Sequence, residues 1–411
     1  MQRLLHPFFQ NGSTMSNNDL KISESSSAIP FWRDERGIRA IAQIISTLLI
    51  IAVIWFAAVN FLKTADNRGM TLSYDFLKNP AGFSISDPAI EYDPSMNFGR
   101  AFLVGLLNTL RVSLIGIVAA TILGTLVALA RLSTNWLMSK IALFYIEFHR
   151  NIPLLVLLFL WYSTVFKSFP KVDDSIVLPG PSYLNLRGIY LAWPRLTETG
   201  SIFAISLGIA IIAAIASYII LRKKRAITGK DTYYSQISFA ILIILPTIGW
   251  FLSGGEPYWL DIPFRKGFNF QGGNRITPEF AGLFVGLVTY TAGFIAEVVR
   301  AGVQAVDKGQ FEAGKAIGLS SSQVLSLVVM PQALRIIIPP MISQYLNLTK
   351  NSSLALAIGF MDLFSIGKTA INQAGRAVPV FALVMVTYLS LSLITSFFLN
   401  WYNRSIQFKE R

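Results

Sequence analysis

The amino-acid sequence predicts an all-α integral membrane protein with about eight transmembrane helices. Of its 411 residues, 53% are hydrophobic and only 14% are charged, and the mean hydropathy is +0.53. Soluble proteins carry about 25% charged residues. The apolar residues also lie in blocks, and a membrane-spanning helix needs roughly 20 such residues in a row. Composition and block length together favour a membrane bundle over a soluble fold.

Eight apolar blocks are predicted to span the membrane. Glycines recur in the second and sixth blocks, a pattern typical of closely packed membrane helices. We expect the helix of the seventh block to be interrupted at Pro339-Pro340, because proline removes helical hydrogen bonds. The blocks cover residues 39–62, 102–131, 152–169, 201–221, 237–253, 279–301, 334–358 and 379–402.

The segments outside these blocks differ in composition and charge. Residues 1–38 are polar and Ser/Asn-rich, which predicts a disordered tail. Lys and Arg are more frequent in the alternate segments that begin with this tail, and Arg222-Lys223-Lys224-Arg225 is their densest cluster. Because cytoplasmic loops carry excess Lys and Arg, both termini are predicted to be cytoplasmic. The remaining segments are then periplasmic loops at 63–100, 169–200 and 254–278, and 404–411 is a short cytoplasmic tail.

Charge and residue content exclude several classes of function. The net charge is +13, but the cations flank apolar blocks, which indicates a membrane surface and excludes nucleic acid as a partner. The chain has no cysteine, and its two histidines are His6 and His149. Zinc sites use Cys and His ligands. The sequence therefore predicts no metal site, and no nucleophile–base constellation supports a membrane-anchored enzyme.

The segment 307–331 is too polar to cross the membrane and has a distinctive pattern. Small residues at 313, 314 and 316 leave one face of a short helix bare. Gly318 can end that helix, since glycine readily takes the left-handed position after a helix. Ser320 or Ser321 can cap the next helix, and Gln323 can complete a capping box with Ser320. We expect a helix exposed to the cytoplasm, with Pro331 marking entry into the next span.

This segment resembles the signature of permease subunits of binding-protein-dependent ABC importers. That signature is Glu-Ala-Ala, three residues, Gly, nine residues, then Ile-x-Leu-Pro. The chain has Glu312-Ala313-Gly314, then Gly318, then Val328-Val-Met-Pro331. Runs beginning at Glu147, Glu297, Pro331 and Leu348 look like the polar amino-acid branch of that family.

The resemblance implies a domain plan, a function and a set of partners. It implies a permease core over 101–403 with a two-helix insertion at 169–278, after an extra N-terminal helix at 39–62, as in the longer subunits of general L-amino-acid transporters of Gram-negative bacteria. In the family, the helix at 307–331 couples transport to a separate ABC ATPase subunit. ATP and Mg²⁺ would bind there, leaving no cofactor on this chain. A periplasmic amino-acid-binding protein and a second permease subunit are the other implied partners, with a heterodimer favoured over a homodimer.

Charged and polar residues within or near spans are candidates for the substrate pathway, because intramembrane charge is costly and often functional. For Arg111, extension of the side chain to the outer headgroups is an equally open interpretation, and for Glu297 a structural pair with Arg300 is another. The segment after the predicted interruption is a third candidate, because broken helices often line a pathway. The candidates are Arg111, Glu297, Lys350, Asn351 and Ser352.

Two other interpretations receive less support from the sequence. Gly309 to Ala316 nearly matches a phosphate-binding loop, but the final Ser or Thr is missing and no strand is predicted before it. The energy source must then be another polypeptide. An ion-coupled secondary transporter remains the alternative function, although it would need coupling carboxylates inside spans and would leave 307–331 unexplained.

The predicted topology can be checked with single cysteines, because the chain has none of its own. Ser321→Cys lies in the predicted cytoplasmic segment and Ser95→Cys in the first predicted outer loop. We expect an impermeant thiol reagent to label Ser95→Cys in intact cells, and Ser321→Cys only after the membrane is opened. Labelling of Ser321→Cys from outside would reverse the proposed orientation.

Overall fold

A computed structural model describes residues 35–67 and 73–406 of the chain, and they are mainly helical. Seven of the helices in this part are long and apolar enough to cross a membrane, or eight if one bent pair is a single span. The predicted fold class and number of spans are therefore confirmed. The helices are α1 (Glu35–Asn67), α2 (Phe98–Leu132), α3 (Trp136–Asn151), α4 (Leu154–Phe159), α5 (Gly200–Thr228), α6 (Tyr234–Leu252), α7 (Pro278–Gln304), α8 (Lys308–Ala316), α9 (Ser321–Gln323), α10 (Met330–Asn351), α11 (Leu363–Ala374) and α12 (Ala377–Ile406).

The helix α1 forms a unit of its own within Met1–Thr71. It contains the predicted span 39–62 and is longer at both ends. None of its side chains between Ile38 and Phe61 is buried, and Trp55 is 71% exposed. An apolar helix without a polar face is suited to lipid contact. Of the predicted tail 1–38, residues 1–34 lie outside the described residues.

The core of the second unit is built on the contact between α2 and α7, the most extensive between two helices in that unit. The two helices approach closely because small residues face each other, with Ala120 and Ala128 on α2 and Ala292 and Ala296 on α7 completely buried. Small residues at such contacts let membrane helices pack by van der Waals attraction. The helix α10 also packs on α7, and α11 packs on the N-terminal half of α2.

The predicted third span, 152–169, is part of a broken pair of helices. The chain turns by 107° between α3 and the segment Leu154–Ser168. Pro153 begins α4 and cannot continue α3, because its ring excludes the preceding residue from the helical region. Residues Leu160–Val165 then form a π-helical stretch, and Phe166–Ser168 a 3₁₀ turn.

The helix α10 is not interrupted at Pro339-Pro340, contrary to the prediction. It runs unbroken from Met330 to Asn351. Both proline rings lie on its exposed side, where bending displaces no packed neighbour. Membrane helices tolerate proline when local adjustments satisfy the freed backbone groups. The break occurs later, where Ser352–Ile358 continues as a 3₁₀ helix and Gly359 ends it with φ +82°.

The predicted outer loops 169–200 and 254–278 contain antiparallel strands that the sequence analysis did not anticipate. The strands β1, β2, β3 and β8 form one sheet in that order, and β4–β5 and β6–β7 form two ribbons. In the sheet, Ile189 of β3 lies opposite Ile276 of β8, on the other side of the α5–α6 pair in the sequence. The strands are β1 (Ile176–Leu178), β2 (Ser182–Asn185), β3 (Gly188–Leu191), β4 (Trp193–Leu196), β5 (Tyr258–Asp261), β6 (Phe264–Lys266), β7 (Asn269–Gln271) and β8 (Asn274–Ile276).

The first predicted outer loop, 63–100, is folded over most of its described part. Phe76, Phe83 and Ile85 are buried together with Phe98 and Phe102 of α2. These residues cover the N-terminal end of α2 and pack against α11. The loop therefore fixes the position of its polar residues relative to the membrane helices.

The close approach of α2 and α7 gives a stability prediction. A Cβ at Gly124 would lie 2.6 Å from Ile295 Cγ2 and 2.9 Å from the Ala292 carbonyl oxygen. Overpacking a dense contact costs typically about 1–3 kcal/mol. We expect Gly124→Ala to lower the melting temperature of the purified chain in detergent. At Gly208 of α5 nothing lies within 4 Å of an added Cβ, so Gly208→Ala is the matched control and should be neutral or stabilising. A Gly124→Ala protein as stable as this control would contradict the proposed contact.

Candidate functional site

The helix α8 follows α7 directly and has well-defined ends. The Asp307 side chain accepts a hydrogen bond from the Gly309 amide at its N-terminus. At its C-terminus the Leu319 amide donates to the Gly314 carbonyl and the Gly318 amide donates to the Lys315 carbonyl. This pair of bonds is a Schellman motif, which places Gly318 in the left-handed region, with φ +86°. The predicted helix end at Gly318 is confirmed.

The next helical segment begins with the predicted capping box. The Ser320 hydroxyl accepts from the Gln323 amide, and the Gln323 side chain accepts from the Ser320 amide. The helix then widens into a π turn over Val324–Val329 before α10 begins. Pro331 therefore lies inside a continuous helix that starts at Ser321, and the widened turn precedes its ring.

Only part of α8 is exposed. Glu312, Ala313 and Ala316 are exposed, while Gly314 is buried. An added Cβ at Gly314 would lie 2.9 Å from Val324 Cγ2, so this glycine faces the π turn and not the open face. The small-residue face predicted at 313, 314 and 316 is therefore formed by 313 and 316 alone.

The helix α8 is tied to both of its neighbours. The Gln332 side chain at the start of α10 donates to the Gln310 side chain at 3.2 Å. Phe311 and Leu319 pack against a buried cluster that includes Val303 of α7 and Val324. Densely packed interiors transmit displacement. A force on the exposed face of α8 would therefore reach the ends of α7 and α10.

Two of the pathway candidates have charged partners. Arg111 of α2 lies 2.9 Å from Asp87 of the segment before α2, and its guanidinium lies over the Phe280 ring, 4.6 Å from the centroid. Glu297 pairs with Arg300 one turn later on α7. Glu297 therefore forms a pair within one helix, which is one of the interpretations left open for it, whereas Arg111 contacts two residues of its own chain. A role of either residue in the substrate pathway stays a prediction.

The remaining candidates lie at the end of α10. Asn351 is its last residue, and Ser352, which is completely buried, begins the 3₁₀ stretch. Lys350 is exposed and, with Ser353, borders a largely apolar cavity of about 510 Å³ whose other walls include Phe364, Phe381 and Tyr388. The break in the helix thus does adjoin these residues, although it lies beyond the prolines that were expected to cause it.

The sequence analysis missed Asp362, which is fully buried just before α11. One carboxylate oxygen accepts from the Ser365 amide and hydroxyl, and the other accepts from the Tyr388 hydroxyl at 2.9 Å. Burial raises the pKa of the Asp362 carboxyl, and these donors oppose the shift. The missed signal was local, because Asp followed by an apolar segment with Ser three residues later is an N-cap pattern.

The structure therefore brings some of the predicted site residues together and separates others. Glu312, Ala313, Gly314 and Gly318 share α8 and its end, and Pro331 lies in the adjoining helix. Arg111, Glu297 and the 350–352 group lie in three different environments within this chain. They form no common binding site among the described residues.

Comparison with known proteins gives consistent matches. Residues 232–408 match the family model described as "Binding-protein-dependent transport system inner membrane component". The chain is 44% identical to the general L-amino acid transport system permease protein AapQ of Rhizobium johnstonii, over 90% of this chain and 92% of the relative. It is 40% identical to the putative amino-acid ABC transporter permease protein YhdX of Escherichia coli, over 90% and 94%. It is 37% identical to the glutamate/glutamine/aspartate/asparagine transport system permease protein BztB of Rhodobacter capsulatus, over 90% and 93%.

The contact between Gly314 and Val324 gives a prediction with a double-variant test. Gly314→Ala should destabilise the contact between α8 and the π turn by about 1–3 kcal/mol through overpacking. Val324→Ala alone should cost stability through a cavity. Because the second change makes room for the first, the double variant should be more stable than the sum of the two losses predicts. Thermal denaturation in detergent measures this, with exposed Ala313→Ser as the control. Simple additivity of the two losses would contradict the contact.

Proposed function

The chain belongs to the family of binding-protein-dependent transport system inner membrane components, as an amino-acid ABC transporter permease, and on this premise we propose that it carries polar or a broad range of L-amino acids. Import into the cytoplasm, coupled to ATP hydrolysis, follows from the family. The substrate range is supported by two relatives, whose names specify general L-amino acids and the glutamate/glutamine/aspartate/asparagine group.

The observation that carries the coupling proposal is the construction of α8. It presents an exposed face at Glu312 and Ala313 and ends sharply at Gly318. It is also packed against the ends of two core helices. Such a helix is suited to mechanical coupling. A partner can bind its exposed side, while its packed side passes the displacement on to the core helices. We assign Glu312, Ala313, Gly314, Gly318 and Pro331 to this coupling unit.

The partner that hydrolyses ATP is proposed to be a separate subunit. In a phosphate-binding loop the lysine lies where the loop enters a helix, so that the helix N-terminus faces the phosphate. Lys315 instead lies in the last turn of α8, where carbonyl groups face outward. This placement supports assigning ATP and Mg²⁺ to the ATPase. A periplasmic amino-acid-binding protein and a second permease subunit complete the proposed complex, with a different chain favoured over a second copy.

The proposed orientation has both termini in the cytoplasm. The Arg222–Arg225 cluster and α8 then lie on the inner side, and the strand-containing segments lie in the periplasm. For the substrate pathway we favour Lys350, Asn351 and Ser352, since Lys350 is exposed beside a cavity at a break in the helix. Arg111 and Glu297 are engaged by Asp87 and Arg300. These two residues are therefore proposed as secondary candidates.

An ion-coupled secondary transporter would use a buried carboxylate that gains and loses an ion during transport. Asp362 is buried, but its oxygens cap α11 and bind Tyr388. Release of those bonds would disrupt the fold around it. This geometry supports a structural role for Asp362 and favours the ATP-driven mechanism.

The coupling proposal is tested by Glu312→Ala and by substitutions at Gly318. In this chain nothing lies within 4 Å of a Cβ at Gly318. Gly318→Val adds backbone strain of about 1 kcal/mol or more, whereas asparagine tolerates the left-handed region. We expect Gly318→Val, Gly318→Asn and Glu312→Ala to insert into the membrane normally. Each should lower uptake in proteoliposomes that contain the complete transporter and weaken retention of the ATPase subunit.

Ser326→Ala is the matched control, because Ser326 is exposed in the adjoining π turn. Gly318→Asn separates the effect of backbone strain from the effect of the volume that a side chain adds at this position. If it transports like the wild type while Gly318→Val fails, Gly318 serves the backbone alone. Wild-type uptake and ATPase retention in both Gly318→Asn and Glu312→Ala would show that α8 is an ordinary interfacial helix.

A further inference from the structure

The connection between α5 and α6, called here the α5–α6 turn, consists of the last turns of α5 and the residues that lead to α6. It carries a dense positive charge that the coupling proposal does not use. Its cations are Arg222, Lys223, Lys224, Arg225 and Lys230, all of which are exposed. Asp231 is the acidic residue beside them, 3.8 Å from Arg225, and both of these side chains are about half exposed. The turn therefore keeps a strong positive potential that an anionic partner can meet.

Two tyrosine rings lie beneath the arginines of this turn. The Arg222 guanidinium carbon lies 5.9 Å from the centroid of the Tyr218 ring, and that of Arg225 lies 5.6 Å from the Tyr234 ring. The two rings are in edge contact, with centroids 5.2 Å apart. Rings at this distance hold guanidinium groups by cation–π attraction. The arginines are thereby held close together, with their remaining N–H groups available to an anion.

The face of α5 that carries Arg222 and Arg225 is apolar in the helical turns that precede them. Ile211, Ile215, Tyr218, Arg222 and Arg225 follow each other at spacings of three or four residues, which places them on one side of a helix. Ile211 and Ile215 are 45% and 56% exposed. A ligand on this face would meet two guanidinium groups first, then aromatic rings, and then aliphatic side chains.

That order of chemistry matches one class of ligand. We propose that the α5–α6 turn is a binding site for an anionic phospholipid, with the phosphate at Arg222 and Arg225 and an acyl chain along Ile215 and Ile211. An arginine guanidinium frequently binds phosphate oxygens in bidentate geometry. Tyrosines are enriched at the headgroup level of membranes. A basic cluster immediately after a membrane helix attracts anionic lipid, at about fivefold in affinity per cation.

The site would give the insertion a role apart from substrate transfer. The pair α5–α6 packs mainly on itself, so a bound lipid would fix its depth in the bilayer. Lipid binding at this turn depends on the membrane location of the chain, but on neither its substrate nor its ATPase contact. If the turn binds no lipid, the proposed function is unaffected.

The test uses the intact transporter complex purified in detergent and titrated with phosphatidylglycerol or phosphatidylcholine, with bound lipid counted by native mass spectrometry. We expect the wild type to prefer phosphatidylglycerol. Arg222→Gln/Arg225→Gln should lower that affinity about 25-fold, since two cations are lost. Arg222→Lys/Arg225→Lys keeps the charge but loses the planar guanidinium contacts, and should bind with intermediate affinity.

Lys140→Gln/Arg150→Gln is the control, because it removes the same charge from exposed positions elsewhere on the proposed inner side and leaves α8 unchanged. An equal loss in this control would reduce the effect to bulk charge and overturn the proposal. Equal binding of the two lipids by the wild type would do the same. Displacement of the lipid by inorganic phosphate would reassign the turn to a free anion. Loss of the ATPase subunit from Arg222→Gln/Arg225→Gln would reassign it to a protein contact.

Discussion

The close approach of α2 and α7 is the contact on which the rest of the permease core depends. Inside a bilayer, helices gain little from burying apolar surface, because lipid is equally apolar, so their association relies on tight packing. Gly124 supplies that packing, facing Ile295 and the Ala292 carbonyl without a side chain of its own. With α7 fixed in this way, α10 packs along another of its sides. The N-terminal end of α7 places Phe280 beneath Arg111, and its C-terminal end leads directly to α8.

This arrangement makes α8 an extension of the core and not a loop attached to it. Gly314 lies against Val324, and Gln310 is bonded to Gln332, so the two ends of the connection between α7 and α10 are held together. The helix is widened into a π turn over Val324–Val329, just before Pro331. Displacement of the exposed face of α8 would therefore be passed on to both core helices. This is the mechanical requirement for coupling an ATPase to a membrane pathway.

Local signals were sufficient to predict some of these features and insufficient for others. The helix end at Gly318 and the capping box at Ser320 depend on neighbouring residues alone, and the sequence predicted both. The four-stranded sheet depends on pairing β3 with β8 across the whole α5–α6 pair, and no local pattern specifies that register. The inward position of Gly314 depends on Val324, a residue in another element. The signature motif alone suggested an exposed small residue there.

The position of the break after α10 illustrates how tertiary hydrogen bonds override residue propensities in a membrane. Backbone groups released from a helix need partners, because lipid offers none. At Pro339-Pro340 the helix continues, so the only backbone groups released are the carbonyls that the missing proline N–H groups would have bonded. Beyond Gly359, α2 provides two, because Asn108 donates to the Met361 carbonyl and Thr109 accepts from the Leu363 amide. Asp362 is bonded in turn to Tyr388 of α12. The chain can leave the α-helix where neighbouring helices satisfy its backbone, and this places Ser352 at the start of the 3₁₀ stretch, directly after Lys350 and Asn351.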